Sequence, residues 1–416
     1  MDRYIGILGI ITIIGVGVLL SENRRKISWR LVGIGLTFNV ILGLLMLKIP
    51  GTSEAFAALA KGINTLVDFS LDGAEAVLGP TITHGTFIKD ATAQREFIFA
   101  VHIGFAIIFV MGLISILYYF GLIQRLVNVM GRFLSKTLGL SGPESLSCAA
   151  AAFVGQVECQ LLIKPYMANL TKSELFTTMT CAMATISGSA LVMYVGMGMP
   201  GNWIIAASFM SALNGIIMAK IFVPETEHEK LLTNAQCAIP EESVNVFDAA
   251  HHGVTVGYEI AVKVVTMVAF AIAFMAMVNF GLGKFLALFG MHAQIQDIFA
   301  YPFMPIAWLL GVPWHECFHI GRLMATELLF NEVVSYGELA PVIHGAGAYV
   351  LAARTQLIAT VALCGFAHLG SLGINIGGLG AMAPSRKGEI AKIAFKSMMV
   401  ANMATWLSAA ICGLMF

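Results

Sequence analysis

Six consecutive residues, Gly155-Gln156-Val157-Glu158-Cys159-Gln160, set a carboxylate and two amides inside an otherwise apolar run. Apolar residues lead in from Ala149 and lead out from Leu161 to Ile163. Lipid offers no hydrogen-bond partner, so polar groups at that depth are costly. They persist where interrupted helices line a cavity for a polar solute or an ion, as in secondary transporters. Three other interruptions have the same character: Thr185-Ile186-Ser187-Gly188-Ser189, Asn331-Glu332, and Gly365-Phe366-Ala367-His368-Leu369-Gly370-Ser371. Glu259 and Lys263 add a charge pair at i,i+4 spacing, which can close on one helix face.

The surrounding chain is membrane-grade. Of 416 residues, 58% are hydrophobic and 12% charged, against about 25% charged in soluble domains, and mean hydropathy is +0.83. The 24 basic and 24 acidic residues cancel, and no basic tail points to nucleic acid. The seven cysteines have no paired spacing and read as small apolar helix residues, not as disulfides or a metal site. An abundance of glycine and methionine suits close helix packing.

Apolar runs and basic clusters predict an all-α polytopic membrane protein with eight transmembrane helices and two re-entrant helical hairpins. The first run, Ile5 to Leu20, is followed by Arg24, Arg25, Lys26 and Arg30 and by no small-residue cleavage site. It reads as an uncleaved first span with its N-terminus outside. The second span is placed at 31–47, an interfacial segment at 51–95, and the third span at 97–118. Ile123 to Leu138, with Arg125, Arg132 and Lys136, reads as a basic amphipathic helix on the cytoplasmic surface. A hairpin at 145–163 precedes an interrupted fourth span at 174–196 and a fifth at 203–222. A cytoplasmic loop at 223–247 leads to the sixth span at 258–280. A second hairpin through Asn331-Glu332 then precedes an interrupted seventh span at 356–381 and an eighth at 394–415. Both termini fall outside.

The order of hairpin and then broken helix thus occurs twice with opposite entry sides, the layout of an inverted repeat. Four sections follow: 1–95 (the N-terminal spans and interfacial segment, as scaffold), 96–222 (third span, interfacial helix, first hairpin, fourth and fifth spans), 223–257 (the cytoplasmic loop and an interfacial helix) and 258–416 (sixth span, second hairpin, seventh and eighth spans).

The motifs Gly155-Gln156-x-Glu158, Gly311-Val312-Pro313-Trp314, Asn331-Glu332 and Gly365 to Ser371 resemble, in order and spacing, the concentrative nucleoside transporter family. The resemblance implies a cation-coupled nucleoside symporter with no cofactor. It further implies a homotrimer in the bacterial plasma membrane, in contact with lipid. In its elevator mechanism, both hairpins and the fourth and seventh spans move against a scaffold that includes the third and sixth. By position, Gln156, Val157 and Glu158 would face the nucleobase. Glu332, His368 and Ser371, with Phe366 beside them, would face the ribose.

Departures from the family pattern are equally specific. Val157 stands where a hydroxyl residue is usual, His368 where Asn is usual, and Gly370 where Ser is usual. In sodium-coupled members an Asn side chain binds the ion at the position of Ala151. The remaining ligands map to the carbonyls of Val154 and Ile186 and to Thr185. Losing a side-chain oxygen weakens a sodium site, so proton coupling is favoured, with Glu158, Glu332, Glu259, Lys263 and His368 as carriers. Val157 and His368 also leave room for a changed cargo: a nucleobase, a modified nucleoside or another ribosylated metabolite.

A rival reading comes from His315-Glu316-Cys317-Phe318-His319, which matches the H-E-x-x-H zinc motif. Leu71-Asp72-Gly73 could supply the third ligand of an intramembrane protease, but it precedes the zinc motif, the wrong order for that class. The expectation is therefore a transporter and not an enzyme. His251-His252 beside Asp248 reads as a solvated helix start.

Overall fold

The computed structural model describes residues 2–49, 51–79, 98–232, 243–291 and 293–416, which are helical and contain no strand. The first four helices are α1 (Asp2–Leu19), α2 (Trp29–Leu47), α3 (Thr52–Leu78) and α4 (Phe99–Tyr119). The amphipathic helix is α5 (Leu122–Leu138). The first hairpin consists of α6 (Gly142–Ala151) and the short α7 (Glu158–Leu161). The interrupted fourth span is α8 (Lys172–Ala184) plus α9 (Gly188–Gly196), followed by α10 (Gly201–Phe222). The long α11 (Val246–Ala287) and α12 (Ile295–Leu309) lead to the second hairpin, α13 (Cys317–Leu329) and α14 (Glu332–Ile343). The second interrupted span is α15 (Ala353–Ala362) plus α16 (Leu369–Met382), and α17 (Lys387–Met415) closes the chain.

Six stretches are long and apolar enough to cross a membrane: 29–47, 99–119, 172–196, 201–222, 246–287 and 384–415. Tyr4–Leu19 and Leu369–Met382 are shorter apolar helices. The interfacial segment expected at 51–95 is helical over its described part. α3 buries Ile63, Val67, Ser70 and Ala74, one stripe at helical spacing, and exposes its charged face. Ile63 and Val67 pack in a cluster with Val110 of α4, Val192 and Val195 of α9, and Ile205 of α10. Residues 80–97 and 233–242, and with them Cys237, lie outside the described residues; the other six cysteines are buried and form no disulfide with one another.

The centre of the molecule is the group α8, α10 and α17, whose spans are 83–89% buried within the chain, whereas α11 is 17% buried. Small residues and hydroxyls allow the central helices to approach closely. Thr180 pairs with Ser397 at 3.0 Å, Ser211 with Ser408 at 3.0 Å, and Asn214 Nδ2 donates to Ser408 Oγ at 2.9 Å. α11 packs along α4 and turns Met267, Phe270, Phe274, Met277 and Phe280 outward.

Hydrogen bonds at the hairpin mouths give their relative direction. Both ends of the first hairpin reach the segment after α10: Gly142 N–H donates to Leu232 O at 2.7 Å, and Thr171 Oγ1 to Glu225 Oε2 at 2.7 Å. The second hairpin ends beside the far end of the fourth span, where His344 Nε2 lies 2.8 Å from Gly198 O. The two mouths therefore open at opposite ends of the α8–α9 path, as an inverted repeat requires.

Candidate functional site

Local chemistry fixes where each helix stops. Ser141 caps α6, with Pro143 in its first turn, and the hairpin turns at Ala152–Val157. Thr171 and Glu174 form a reciprocal capping box at the start of α8. α8 ends where Thr185 becomes extended (φ −116°, ψ 172°), and Ser187 restarts the chain as the cap of α9, accepting from Ala190 N–H at 3.1 Å. Phe153 O accepts from Gly188 N–H at 2.8 Å, tying the first hairpin's tip to this break. In the second repeat Asn331 caps α14, accepting from Val334 N–H at 2.9 Å, which places Glu332 in the first turn. His368 is extended (φ −115°, ψ 168°) at the start of α16 and makes no capping bond there. Its side chain is free for another partner.

The breaks meet. A Cβ on Gly365 would lie 3.0 Å from Met183 O and 3.3 Å from Ala184 O, so a side chain here would crowd the end of α8, which glycine lets the seventh span approach closely. Asn402 of α17 donates to Ala367 O at 2.6 Å, satisfying a carbonyl that the break leaves without a helical partner. Polar groups from both hairpins and both broken helices converge at this crossing.

Glu332 is its centre. The residue is 4% exposed; Tyr194 Oη of α9 donates to Oε1 at 2.9 Å, and His368 Nε2 lies 3.4 Å from Oε2. Tyr194 is itself buried against Tyr336, with ring centroids 4.7 Å apart, and Tyr336 Oη donates to Thr360 O at 2.8 Å. One turn into α16, Ser371 and Asn375 are both fully buried. Asn375 Nδ2 is shared between Ser371 O at 3.1 Å and Gln156 Oε1 at 3.4 Å, which joins the first hairpin to the seventh span. Glu332 Oε2, His368 Nδ1, Ser371 Oγ and Asn375 Oδ1 are buried without a hydrogen-bond partner. Buried polar atoms without a partner are rare in folded proteins, and four of them on adjoining side chains leave room for a ligand, an ion or water to complete them. Tyr194 and Asn375 were not singled out in the sequence, although Asn375 follows Ser371 at i,i+4 and that spacing was legible.

His368 and Gly370 form a matched pair. A Cβ on Gly370 would lie 3.0 Å from both Cε1 and Nδ1 of the imidazole. The larger side chain at 368 therefore occupies the space that a side chain at 370 would need.

The expected residues divide into those brought together and those set apart. Glu332 meets Tyr194 and His368, Gln156 meets Ser371 through Asn375, and the two groups adjoin where Ser371 N–H donates to His368 O at 3.0 Å; Phe366, half-buried, lies in the same break. Val154, Thr185 and Ile186 are buried beside the junction of Phe153 and Gly188; the Thr185 hydroxyl donates to Cys181 O at 2.9 Å.

Val157 turns instead toward the seventh span: its two γ-methyls lie 3.0 Å from the point a Cβ on Gly378 would occupy, an apolar contact between hairpin and helix. Glu158 is exposed, not buried as a proton carrier in low dielectric would be, because it begins the short α7 at the hairpin tip. Glu259 and Lys263 do pair, at 3.3 Å, but their side chains are 61% and 72% exposed on α11, so the pair lies on the outer face and not in a polar interior.

The zinc reading fails on geometry. Glu316 Oε1 accepts from Ala352 N–H at 3.1 Å, His319 stacks on Tyr349 at 4.0 Å, and the His315 side chain is 80% exposed. Among the described residues, no group of three His, Cys, Asp or Glu side chains is placed to hold a metal ion.

A charge pair that the sequence reading passed over lies at the first hairpin's mouth. Lys220 Nζ lies 2.6 Å from Glu144 Oε1 and donates to Ser173 Oγ at 3.0 Å, with both charged side chains buried. It joins α10 to α6 and α8.

Comparison with known proteins agrees with this architecture. Residues 8–81 and 203–413 match the family described as Na+ dependent nucleoside transporter, N-terminus and C-terminus, and residues 100–201 match a nucleoside recognition domain. The uncharacterized transporter YutK of Bacillus subtilis is 38% identical over 416 residues, covering 100% of both chains. Nucleoside permease NupC of Helicobacter pylori is 34% identical, covering 98% of this chain and 96% of that protein. The solved structure of CNTnw in an inward-facing substrate-bound state has 36% identity and a TM-score of 0.93, covering 100% of this chain and 99% of that one.

Proposed function

The chain belongs to the concentrative nucleoside transporter family, and from that premise we propose that it imports nucleosides by proton symport, with Glu332 as the principal ribose-binding group. It is a membrane transporter and not an enzyme, like the permeases it resembles. The observation that carries the assignment of residues is the set of orphaned polar atoms around Glu332, His368, Ser371 and Asn375.

A carboxylate accepts hydrogen bonds from sugar hydroxyls, and those bonds are among the stronger neutral-to-charged ones. Tyr194 holds one oxygen of Glu332 and leaves the other facing His368, so the carboxylate is oriented before the sugar arrives. Imidazole Nδ1 and the Ser371 hydroxyl supply further partners for the ribose. Gln156 presents an amide to the nucleobase from the first hairpin, steadied by Asn375.

Proton coupling is supported by Ala151, which is buried and offers only a methyl group where sodium-coupled members place an amide oxygen. The transport unit holds both hairpins and the two broken helices and moves elevator-fashion against a scaffold that includes α4 and α11. The exposed apolar length of α11 suits a lipid-facing or intersubunit position in a homotrimer. The protein operates in a plasma membrane with both termini outside.

Uptake of labelled uridine and adenosine into proteoliposomes, with proton and sodium gradients imposed separately, tests this reading. Accumulation driven by the proton gradient alone is expected. Accumulation that follows sodium and ignores pH refutes proton coupling. No uptake of either nucleoside under either gradient refutes the cargo and turns attention to modified nucleosides or nucleobases, with His368 and Val157 as the residues that changed it.

A further inference from the structure

The second hairpin carries another carboxyl group that the ribose site does not use. Glu327, on the first arm of that hairpin, is 1% exposed, and its Oε1 is buried without any hydrogen-bond partner. Its electrostatic neighbours are Glu332 and Tyr336 on the second arm and Cys364 at the break after α15. None of these is a cation. Arg322, on Glu327's own helix, is engaged elsewhere: it donates to Gln294 Oε1 at 2.9 Å and lies 3.4 Å from Asp297 of α12. His368 faces Glu332, at 3.4 Å. The Tyr336 hydroxyl donates its hydrogen to Thr360 O and has none left for Glu327.

An ionised carboxylate buried with no donor and with a second carboxylate nearby is among the most unfavourable arrangements a protein can hold. A neutral carboxylic acid in the same place is tolerable, since it needs no counter-charge. The site also lies on a hairpin whose tip holds the substrate-binding carboxylate, so its environment changes whenever that hairpin moves. These are the requirements of an ion-coupling position in a carrier: a group satisfied by one cation while enclosed, and exposed to one solution at a time.

We propose that Glu327 is the proton-coupling site, taking one proton from the outside solution onto its carboxylate when the second hairpin is open and releasing it inside. The proposal rests on the proton-symport reading above. The bond formed is O–H on the Glu327 carboxylate, and the same bond breaks on release, so one proton crosses per cycle with no other reactant. Glu332 then remains available to the sugar, and binding and coupling are carried by two carboxyls of one hairpin.

The test compares wild type, E327Q and E327D in proteoliposomes by two assays: accumulation driven by a proton gradient, and exchange of labelled for unlabelled uridine with no gradient. Glutamine keeps the size of the neutral acid but cannot release a proton. E327Q is expected to retain exchange and lose proton-driven accumulation, with accumulation partly restored in E327D. Infrared difference spectra of wild type and E327Q are expected to show the C=O stretch of a protonated carboxyl in the former only. Proton-driven accumulation that survives in E327Q overturns the assignment while leaving proton symport intact. Parallel loss of exchange and accumulation also overturns it, by placing Glu327 in binding or folding. Wild-type accumulation that follows sodium alone overturns both this assignment and the symport reading, and it does so before any variant is made.

Discussion

Replacing Tyr194 with Phe removes one hydroxyl and leaves the ring. The tyrosine is fully buried against Tyr336, so phenylalanine keeps the aromatic contact at 4.7 Å between centroids. What is lost is the 2.9 Å hydrogen bond to Glu332 Oε1. A hydrogen bond to a charged group contributes about 1.5–3 kcal/mol. At about 1.4 kcal/mol per tenfold, that corresponds to a ceiling of roughly 10- to 140-fold in nucleoside affinity. The lower end is expected, because the freed oxygen can recruit His368, whose Nε2 is already 3.4 Å from the other oxygen. The assay is nucleoside binding to purified protein by calorimetry, together with thermal stability of the ligand-free form. About tenfold weaker binding is expected with a small change in stability. Unchanged binding in Tyr194→Phe, alongside lost binding in Glu332→Gln, would refute the claim that the tyrosine orients the carboxylate.

Other sites make separate predictions. Gly370→Ser places a side chain against the imidazole of His368, at 3.0 Å for its Cβ, and should cost about 1–3 kcal/mol by overpacking. In the His368→Asn background most of that cost disappears, so melting temperatures of the four variants should be non-additive; additive values would dissolve the pair. Lys220→Met leaves Glu144 buried without its cation and should destabilise by about 3–5 kcal/mol. The double variant with Glu144→Gln recovers stability, and an equally unstable double variant would contradict the pairing.

Between α1 and α2, Glu22 accepts from Lys172 at 2.8 Å and from Lys396 at 3.2 Å. Burial acts to raise its titration point, but the two lysines together hold the carboxyl below the ordinary glutamate range. Its contribution is therefore present above the unfolded value of about 4.3 and is lost as pH falls through the lower folded value. Half-exposed pairs contribute only about 0–1 kcal/mol. Wild type should thus melt slightly above Glu22→Gln at neutral pH, and the gap should close in acid; a constant gap contradicts the linkage.

Much of the architecture was legible because membrane chains obey few rules. Hydrocarbon admits no unsatisfied backbone, so each apolar run becomes a helix and each polar interruption marks a break. The hydroxyls and glycine at 185–189 and the polar run at 365–371 coincide with the ends of α8 and α15. The caps at Ser187 and Asn331 are local side-chain chemistry, readable from sequence. Partnership across the fold was less legible. In sequence Tyr194 is one aromatic in an apolar helix and Lys220 and Glu144 are isolated charges, because each one's partner is distant along the chain.

Exposure was decided by tertiary structure alone. Glu158, Glu259 and Glu332 are each a single carboxylate among apolar neighbours, and no periodicity separates them. Packing leaves the first exposed at a hairpin tip, places the second on the outward face of α11, and encloses the third between Tyr194 and His368. That the chain crosses a membrane, and where its helices are interrupted, follows from local hydropathy and capping chemistry. Which interruptions meet, and which buried groups are left without a partner, depended on how two inverted hairpins and two broken helices pack. Those contacts join residues more than a hundred positions apart, such as Tyr194 and Glu332 or Gln156 and Asn375, and local chemistry carries no record of them.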